Sequence, residues 1–433
     1  MPNFQLSDQV FLQAAEQFET PFHLYSEELI RATVRRLYRA FSKLPSYKEY
    51  FAVKALPNPS ILRILKQEGC GVDCASLTEL MLSDACGFSG DEIMFSANDV
   101  PKREFMLALK LDATVNLDDA THLDALCIAA EGNRLPEELC LRYNPGGTFQ
   151  IGNAIMGNPG EAKFGMTRGQ LSDVLRELRN HHPEVKRFGL HAFLSSNTTD
   201  PQYYPLLAKI LFQTGRELME ESGLPLSFIN LSGGIGIPYQ PEESEADIEA
   251  IGDSVARVYE QEITKQGLPS VAVKSELGRY MTGPNGWLVT HILHRKNTHR
   301  TYFGLDASAC DLMRPAMYGA YHHITLPGKT EGIDHAVLCD ITGNLCENND
   351  KFAVNRILPN PQVGDVLVIH DTGAHGLSMG YNYNGKLRCK EVLHCMNGSF
   401  RLIRREERPR DYFAALDGDE VYKKMKERYP QDW

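Results

Sequence analysis

Positive charge is the minority in this 433-residue sequence: 45 Lys and Arg stand against 56 Asp and Glu, for a formal charge of −11. No basic run interrupts that balance, which argues against a nucleic-acid surface. Apolar runs are also short. None reaches the roughly 20 residues of a membrane span. The opening Met1-Pro2-Asn3-Phe4-Gln5 has neither a basic stretch nor an apolar core, so no secretory leader is expected and the chain reads as cytoplasmic. Ten cysteines are present but scattered. Without a leader they read as reduced thiols of core or site. Cys70 and Cys74 have no matching downstream pair, and the doublets His181-His182 and His322-His323 lack ligand spacing around them, so no metal is expected. No dinucleotide-binding glycine fingerprint follows the first predicted strand, which lowers a Rossmann reading.

What is present is alternation. A helix stripe over 26–41 precedes a strand ending near Lys54, and a helix over 60–68 stops at Gly69. Strands are predicted at 71–74, 92–95, 113–115, 139–143, 188–193, 228–231 and 271–276, with helical patterns between them. Ser76-Leu77-Thr78-Glu79 has the form of a capping box. About eight strands separated by helices within about 250 residues suit a (β/α)8 barrel better than an open doubly wound sheet. After about Gly283 the runs 287–293, 336–339, 366–369 and 400–403 read as strands with little helix. The expected organisation is therefore an N-terminal segment over 1–25 packing on the β domain, a barrel over 26–282, and a mostly β domain over 283–433 with a short terminal helix.

The chemistry gathers where a barrel would put it. Tyr50-Phe51-Ala52-Val53-Lys54-Ala55-Leu56-Pro57-Asn58-Pro59 is an apolar run that ends in a lysine and a turn. A lysine at such a strand end, walled by apolar residues, is expected to have a lowered pKa. Functional residues of barrels sit at the carboxyl ends of strands, and phosphate often binds after strands seven and eight. Lys54 and Asp73 end the first two strands; Phe193, Ser195 and Ser196 follow the sixth. Ser232-Gly233-Gly234-Ile235-Gly236 follows the seventh, and Glu276-Leu277-Gly278-Arg279 the eighth. A glycine turn lets backbone N–H groups approach a phosphate closely. A lysine for an aldehyde, a phosphate cradle and an acid for a pyridine nitrogen are together what pyridoxal phosphate requires.

These stretches, with Asp73-Cys74-Ala75-Ser76, Lys163-Phe164-Gly165 and Cys346-Glu347, resemble the fold-type III pyridoxal-phosphate decarboxylases, among them diaminopimelate decarboxylase and the ornithine and arginine decarboxylases. The resemblance runs from about Pro21 to about Arg401. It implies an alanine racemase-like fold, bound pyridoxal 5'-phosphate, and a homodimer that shares its active site across the interface. It implies Lys54 as the anchor of the cofactor's aldehyde and Glu276 as partner of the ring nitrogen. Gly233, Gly234, Gly236 and Ser196 would hold the phosphate, with Asp73, Phe193, Gly278, Arg279 and His375 also lining the cofactor. Cys346 would return a proton to the carbanion left by CO2. Lys163 and Asp350 match positions that pair between subunits in the ornithine branch.

The segment from Asp311 to His322 resembles diaminopimelate decarboxylase, where its arginine and tyrosine, here Arg314 and Tyr318, hold a substrate carboxylate. Arg279 is similar to a second carboxylate clamp and Glu347 to the acceptor of a substrate ammonium, which suits a substrate with an extra zwitterionic end. The resemblance thus implies decarboxylation of meso-2,6-diaminopimelate to L-lysine. The alternatives are a related decarboxylase of another basic amino acid or of a carboxylated polyamine precursor, and a non-catalytic carrier of the cofactor. The sequence departs from the family at four positions: Phe193 replaces a histidine, His375 a tyrosine, Ser232 a glycine and Leu277 a proline.

Overall fold

The computed structural model describes residues 6–147, 159–329 and 335–431, so part of the segment between Tyr143 and Met166 lies outside the described residues. The chain divides into two compact units. One comprises Arg31–Pro238 and Ser244–Met281; the other comprises Met1–Ile30, Tyr239–Glu243 and Thr282–Trp433. Among the described residues no helix is long and apolar enough to cross a membrane.

In the first unit eight parallel strands close a barrel. In chain order they are Tyr47–Ala52, Gly71–Cys74, Ile93–Ser96, Thr114–Leu117, Glu138–Arg142, Arg187–His191, Leu226–Asn230 and Ala272–Ser275. Closure pairs the first strand with the eighth, Tyr47 opposite Val273 and Glu49 opposite Ser275. Because side chains alternate along a strand, the inward positions fall in layers. One layer is an apolar floor of Tyr50, Met94, Cys140 and Phe228, on which the buried Lys274 ammonium lies 3.6 Å from the Phe228 ring centroid. Gly189 makes room for that ring, since a Cβ there would sit 2.1 Å from it. Toward the carboxyl ends, Asp73, Asn116, His191, Asn230 and Glu276 are all buried. A packed floor beneath a polar layer keeps the chemistry at one mouth of the barrel.

Outward positions carry a third buried carboxylate. Glu49 accepts from the Ser275 hydroxyl and from the Leu277 N–H at 2.6 Å. A proline at 277 would lack that donor. Burial pushes the Glu49 carboxyl up to about 8, against the two hydrogen bonds that favour its charged form. A carboxyl raised in the folded state contributes stability that is present below its unfolded pKa and is lost as pH rises through the folded value. Wild-type stability should therefore fall between about pH 4.5 and 8, and Glu49→Gln should flatten that slope. Urea unfolding at several pH values reads it directly; an unchanged slope in the variant would show that another group is responsible.

In the second unit the sheet order runs Lys351–Pro359, Ala336–Thr342, Thr301–Leu305, Gly286–Asn297, Phe22–Ser26, Lys390–His394, Phe400–Arg404. Val366–Ile369 pairs with Gly286–Asn297 and with Ile324–Thr325. Phe22–Ser26 is antiparallel to Gly286–Asn297 on one side and parallel to Lys390–His394 on the other. The helix Asp8–Gln17 buries Phe11 and Ala14 in a cluster with Phe22, Trp287, Val289 and Val392. The predicted strand starts at 336, 366 and 400 agree with this sheet, as does the terminal helix at Glu420–Arg428. Phe22–Ser26, Thr301–Leu305, Ile324–Thr325, Lys351–Pro359 and Lys390–His394 are not among the predicted strands.

Candidate active site

The first barrel strand ends at Ala52, and Lys54 lies beyond it in the 3-10 turn Val53–Ala55. The turn lifts the lysine off the sheet, and its side chain is about half exposed, at 52%. Its Nζ lies 3.4 Å from Oδ2 of Asp73, which is buried at the third position of the second strand. Gly278 permits the approach of the segment after the eighth strand, since a Cβ there would fall 2.7 Å from that of Ala55. The expected lowering of the Lys54 pKa is overturned. Partial desolvation at the barrel mouth pulls the half-exposed ammonium down, but Asp73, Glu276 and Glu79 outweigh it, so its pKa is raised. The carboxylates come from other elements, Asp73 from the second strand, Glu79 from the helix Leu77–Ala85 and Glu276 from just past the eighth strand, so the local apolar run gave no sign of them.

Glu276 is the hub of the polar layer. Its Oε1 accepts from Asn230 Nδ2 at 2.7 Å and from Ser96 Oγ at 3.4 Å. Its Oε2 accepts from Ser232 Oγ at 2.8 Å and contacts His191 Nε2 at 3.3 Å. Burial pushes this carboxyl up, but His191, Lys54 and Ser232 together hold it well below the usual range. Burial lowers the His191 pKa, so at neutral pH the ring acts as a neutral Nε2–H donor. Asp73 is driven upward by burial and by the nearby Glu276 charge. Two buried carboxylates with opposite displacements beside one amine make a site able to hold a proton in one place and refuse it in another. Asp73 Oδ1, Asn116 Oδ1 and His191 Nδ1 are buried and have no partner among the described residues.

The glycine turn is shaped by its neighbours. A Cβ on Gly233 would sit 3.0 Å from the Glu276 carbonyl oxygen and 3.7 Å from the Phe193 ring. Gly234 has φ +113, and a Cβ there would fall 2.4 Å from the Tyr203 ring. At Gly236 a Cβ would overlap Asn197 at 2.6 Å. The Gly236 N–H donates to the Thr198 carbonyl at 2.8 Å. No acceptor among the described residues meets the N–H groups of Gly233, Gly234 and Ile235. Such a run of free donors suits an oxyanion group. Ser196 lies in the loop after the sixth strand, where the Leu194 and Ser195 N–H groups donate to the Tyr203 hydroxyl. Arg279, also buried, opens the short helix Arg279–Thr282.

Apart from Lys163, which lies in the first unit, the remaining predicted residues belong to the second. Arg314 is buried at the start of the helix Arg314–Tyr318, its guanidinium 5.4 Å from the Tyr239 ring centroid, while Tyr318 is exposed at the other end. Cys346 is the one exposed cysteine of the ten, and its N–H donates to Asn384 Oδ1 at 2.7 Å. Glu347 beside it is exposed. Asp350 braces their loop: its carboxylate accepts from the Ala309 and Leu345 N–H groups, both at 2.8 Å. His375 has φ +55. His23, which the sequence did not single out, joins two of these segments. Its Nε2 lies 3.1 Å from the Asp311 carbonyl and its Nδ1 3.1 Å from Thr372 Oγ1. A carbonyl only accepts, so Nε2 carries the proton, and burial holds the imidazole at about 4.

The first unit thus brings together Lys54, Asp73, Phe193, Gly233 and Glu276. These residues fit a phosphorylated pyridine aldehyde: an amine for the aldehyde, a fixed carboxylate for a ring N–H, free backbone N–H groups for phosphate, and an orphaned oxygen on Asp73. Sequence reasoning missed Ser96, Asn116, His191 and Asn230. Their inward register on barrel strands was the available signal.

Residues 30–283 match the family model for the pyridoxal-binding domain of pyridoxal-dependent decarboxylases. Protein TabA from Pseudomonas amygdali pv. tabaci is 39% identical, over 93% of each chain. The diaminopimelate decarboxylase of Methanothermobacter thermautotrophicus is 34% identical, over 92% of this chain and 91% of that one. Among solved structures, diaminopimelate decarboxylase from M. jannaschii in complex with L-lysine superposes with a TM-score of 0.87 at 28% identity, over 95% of both chains. A barrel with this lysine, carboxylate and glycine turn, continuous with these relatives along nearly its whole length, belongs to the pyridoxal-dependent decarboxylase family.

Proposed function

We propose that this chain is a diaminopimelate decarboxylase, releasing CO2 from meso-2,6-diaminopimelate to leave L-lysine. The observation that carries the substrate is Arg314: a guanidinium is buried at the head of a short helix, in a segment that resembles the substrate arm of those enzymes. Buried arginine suits bidentate capture of a carboxylate, and a plain diamine precursor would have none at its far end. The names of the relatives support the same reading.

When bound, pyridoxal 5'-phosphate supplies an electron-poor ring that takes up the electron pair of the breaking carbon–carboxylate bond. Lys54 Nζ holds the aldehyde carbon, with Asp73 keeping the amine in place. Glu276 keeps a proton at the ring nitrogen, as its four donors and low pKa favour the carboxylate form. The N–H groups of Gly233 and Gly234, with Gly236, Ser196, Gly278 and His375, secure the phosphate end, and Phe193 offers a stacking face without a hydrogen bond. Arg279, Arg314 and Tyr318 hold substrate carboxylates and Glu347 an ammonium. Cys346 delivers the proton to the α-carbon. Cys346 and Glu347 are both exposed, which supports a homodimer in which they serve the partner's barrel; the proposed biosynthetic role places the enzyme in the cytoplasm.

A second reading, decarboxylation of another basic amino acid or a carboxylated polyamine precursor, is favoured by Phe193 and His375. CO2 release measured with diaminopimelate, lysine, ornithine and arginine separates the two. Diaminopimelate should be turned over at least about a hundredfold faster than the others, the scale of a site that leaves buried charge unpaired with the wrong substrate. Faster release from any other amino acid would replace the proposed substrate.

A further inference from the structure

We propose that Ser232 is a positioning residue for Glu276, its hydroxyl fixing the plane of the carboxylate that serves the cofactor's ring nitrogen; this rests on the role given to Glu276 above. Ser232 occupies the left-handed region with φ +52, where glycine is the residue at ease. The family pattern has glycine here, so the serine brings backbone strain that its other contacts must offset. Each of its polar groups is engaged. The N–H donates to Asn230 Oδ1 at 2.8 Å, and the carbonyl accepts the Glu276 N–H at 2.8 Å and the Tyr204 hydroxyl at 2.6 Å. A glycine could keep all three. Only the hydroxyl, 2.8 Å from Glu276 Oε2, is particular to serine.

The geometry says what that bond does. Asn230 holds Oε1 at 2.7 Å, but a carboxylate gripped at one oxygen can still swing about its last torsion. Oε2 has otherwise only the longer contact from His191 at 3.3 Å. Ser232 therefore supplies the second short bond, and two short bonds, one from the end of the seventh strand and one from two residues on, lock both oxygens. The carboxylate also has cause to move, because it lies near the buried Asp73 carboxylate and shares Lys54 with it. Ser232 itself is only 4% exposed, so bulk water does not compete with its hydroxyl for Oε2.

Two variants of the full chain isolate the hydroxyl. Ser232→Ala loses it and keeps the left-handed strain, whereas Ser232→Gly loses it and relieves the strain. In the apoprotein, the Glu276 carboxylate stretching band, isolated by subtracting the Glu276→Gln spectrum, should shift alike in both. Equilibrium dialysis with pyridoxal 5'-phosphate should show affinity weakened about tenfold in both, the scale of one hydrogen bond to a charged group. A shift in the alanine protein alone would assign the effect to backbone strain and overturn the proposal, as would no shift in either. The Glu276→Gln holoprotein tests the underlying role separately. An unaltered cofactor absorbance there would remove Glu276 from the ring nitrogen, whatever the Ser232 variants do.

Discussion

Lys54→Ala is expected to lower turnover by at least about 10³-fold, because no neighbouring amine can replace the covalent anchor. Lys274, the next lysine inside the barrel, lies on the aromatic floor with its Nζ against Phe228. The fold should survive the change. The Lys54 side chain is half exposed and packs no core, so apoprotein stability should move by no more than about 1 kcal/mol. The carboxylates left behind can adjust, since Asp73 is already displaced toward its protonated form. Borohydride reduction of the wild-type holoprotein followed by peptide mass mapping should place a pyridoxyl group on Lys54. A label on another lysine, or a variant that keeps most of its turnover, would remove Lys54 from its assigned role.

Gly234→Ala should cost the protein both stability and cofactor. The residue holds φ +113, where side chains are strongly disfavoured, and its Cβ would fall 2.4 Å from the Tyr203 ring and 2.9 Å from the Ser195 carbonyl oxygen. Tyr203 cannot easily yield, because its hydroxyl is pinned by the Leu194 and Ser195 N–H groups. Strain and overlap each cost about 1–3 kcal/mol, so a loss of about 2–6 kcal/mol is expected. Displacing the turn also turns its free N–H groups away from their ligand, so affinity for pyridoxal 5'-phosphate should fall by more than about tenfold. Thermal unfolding of the apoprotein and dialysis of the cofactor check the two halves. Lost stability with wild-type affinity would show that this turn does not hold the phosphate.

The barrel was legible because its strands are short apolar runs with turn residues at regular intervals, and each was placed to within a few residues. The strands that escaped notice belong to the second unit and are of another kind. Lys351–Pro359 and Lys390–His394 carry charged residues and alternate imperfectly, and the hairpin of Ala336–Thr342 with Lys351–Pro359 shifts register at Cys339 and Ile341. Their identity as strands comes from partners distant in the chain. The site divides similarly. Lys54, Glu276 and the glycine turn stand out because an unusual residue breaks an apolar run. Ser96, Asn116, His191 and Asn230 look like ordinary strand ends; only closure of the barrel turns them into a ring around one carboxylate. The Lys54 pKa was misjudged for the same reason, since Asp73 and Glu276 approach it from strands that a linear reading keeps apart.

The strand Phe22–Ser26 sits inside the second unit's sheet, with Gly286–Asn297 on one side and Lys390–His394 on the other. Ribosomes deliver it before the barrel strands and its parallel partner after them, and domains generally fold as units while synthesis proceeds. The barrel, whose strands all lie between Tyr47 and Ser275, has every pairing it needs before either neighbour of Phe22–Ser26 has left the exit tunnel. During that interval the early strand offers two bare edges to solvent, and a chain stalled before Lys390 would carry one of them permanently. Truncated products should therefore be captured by chaperones or aggregate even with a native barrel, and nascent-chain crosslinking would find the captured contact at Phe22–Ser26.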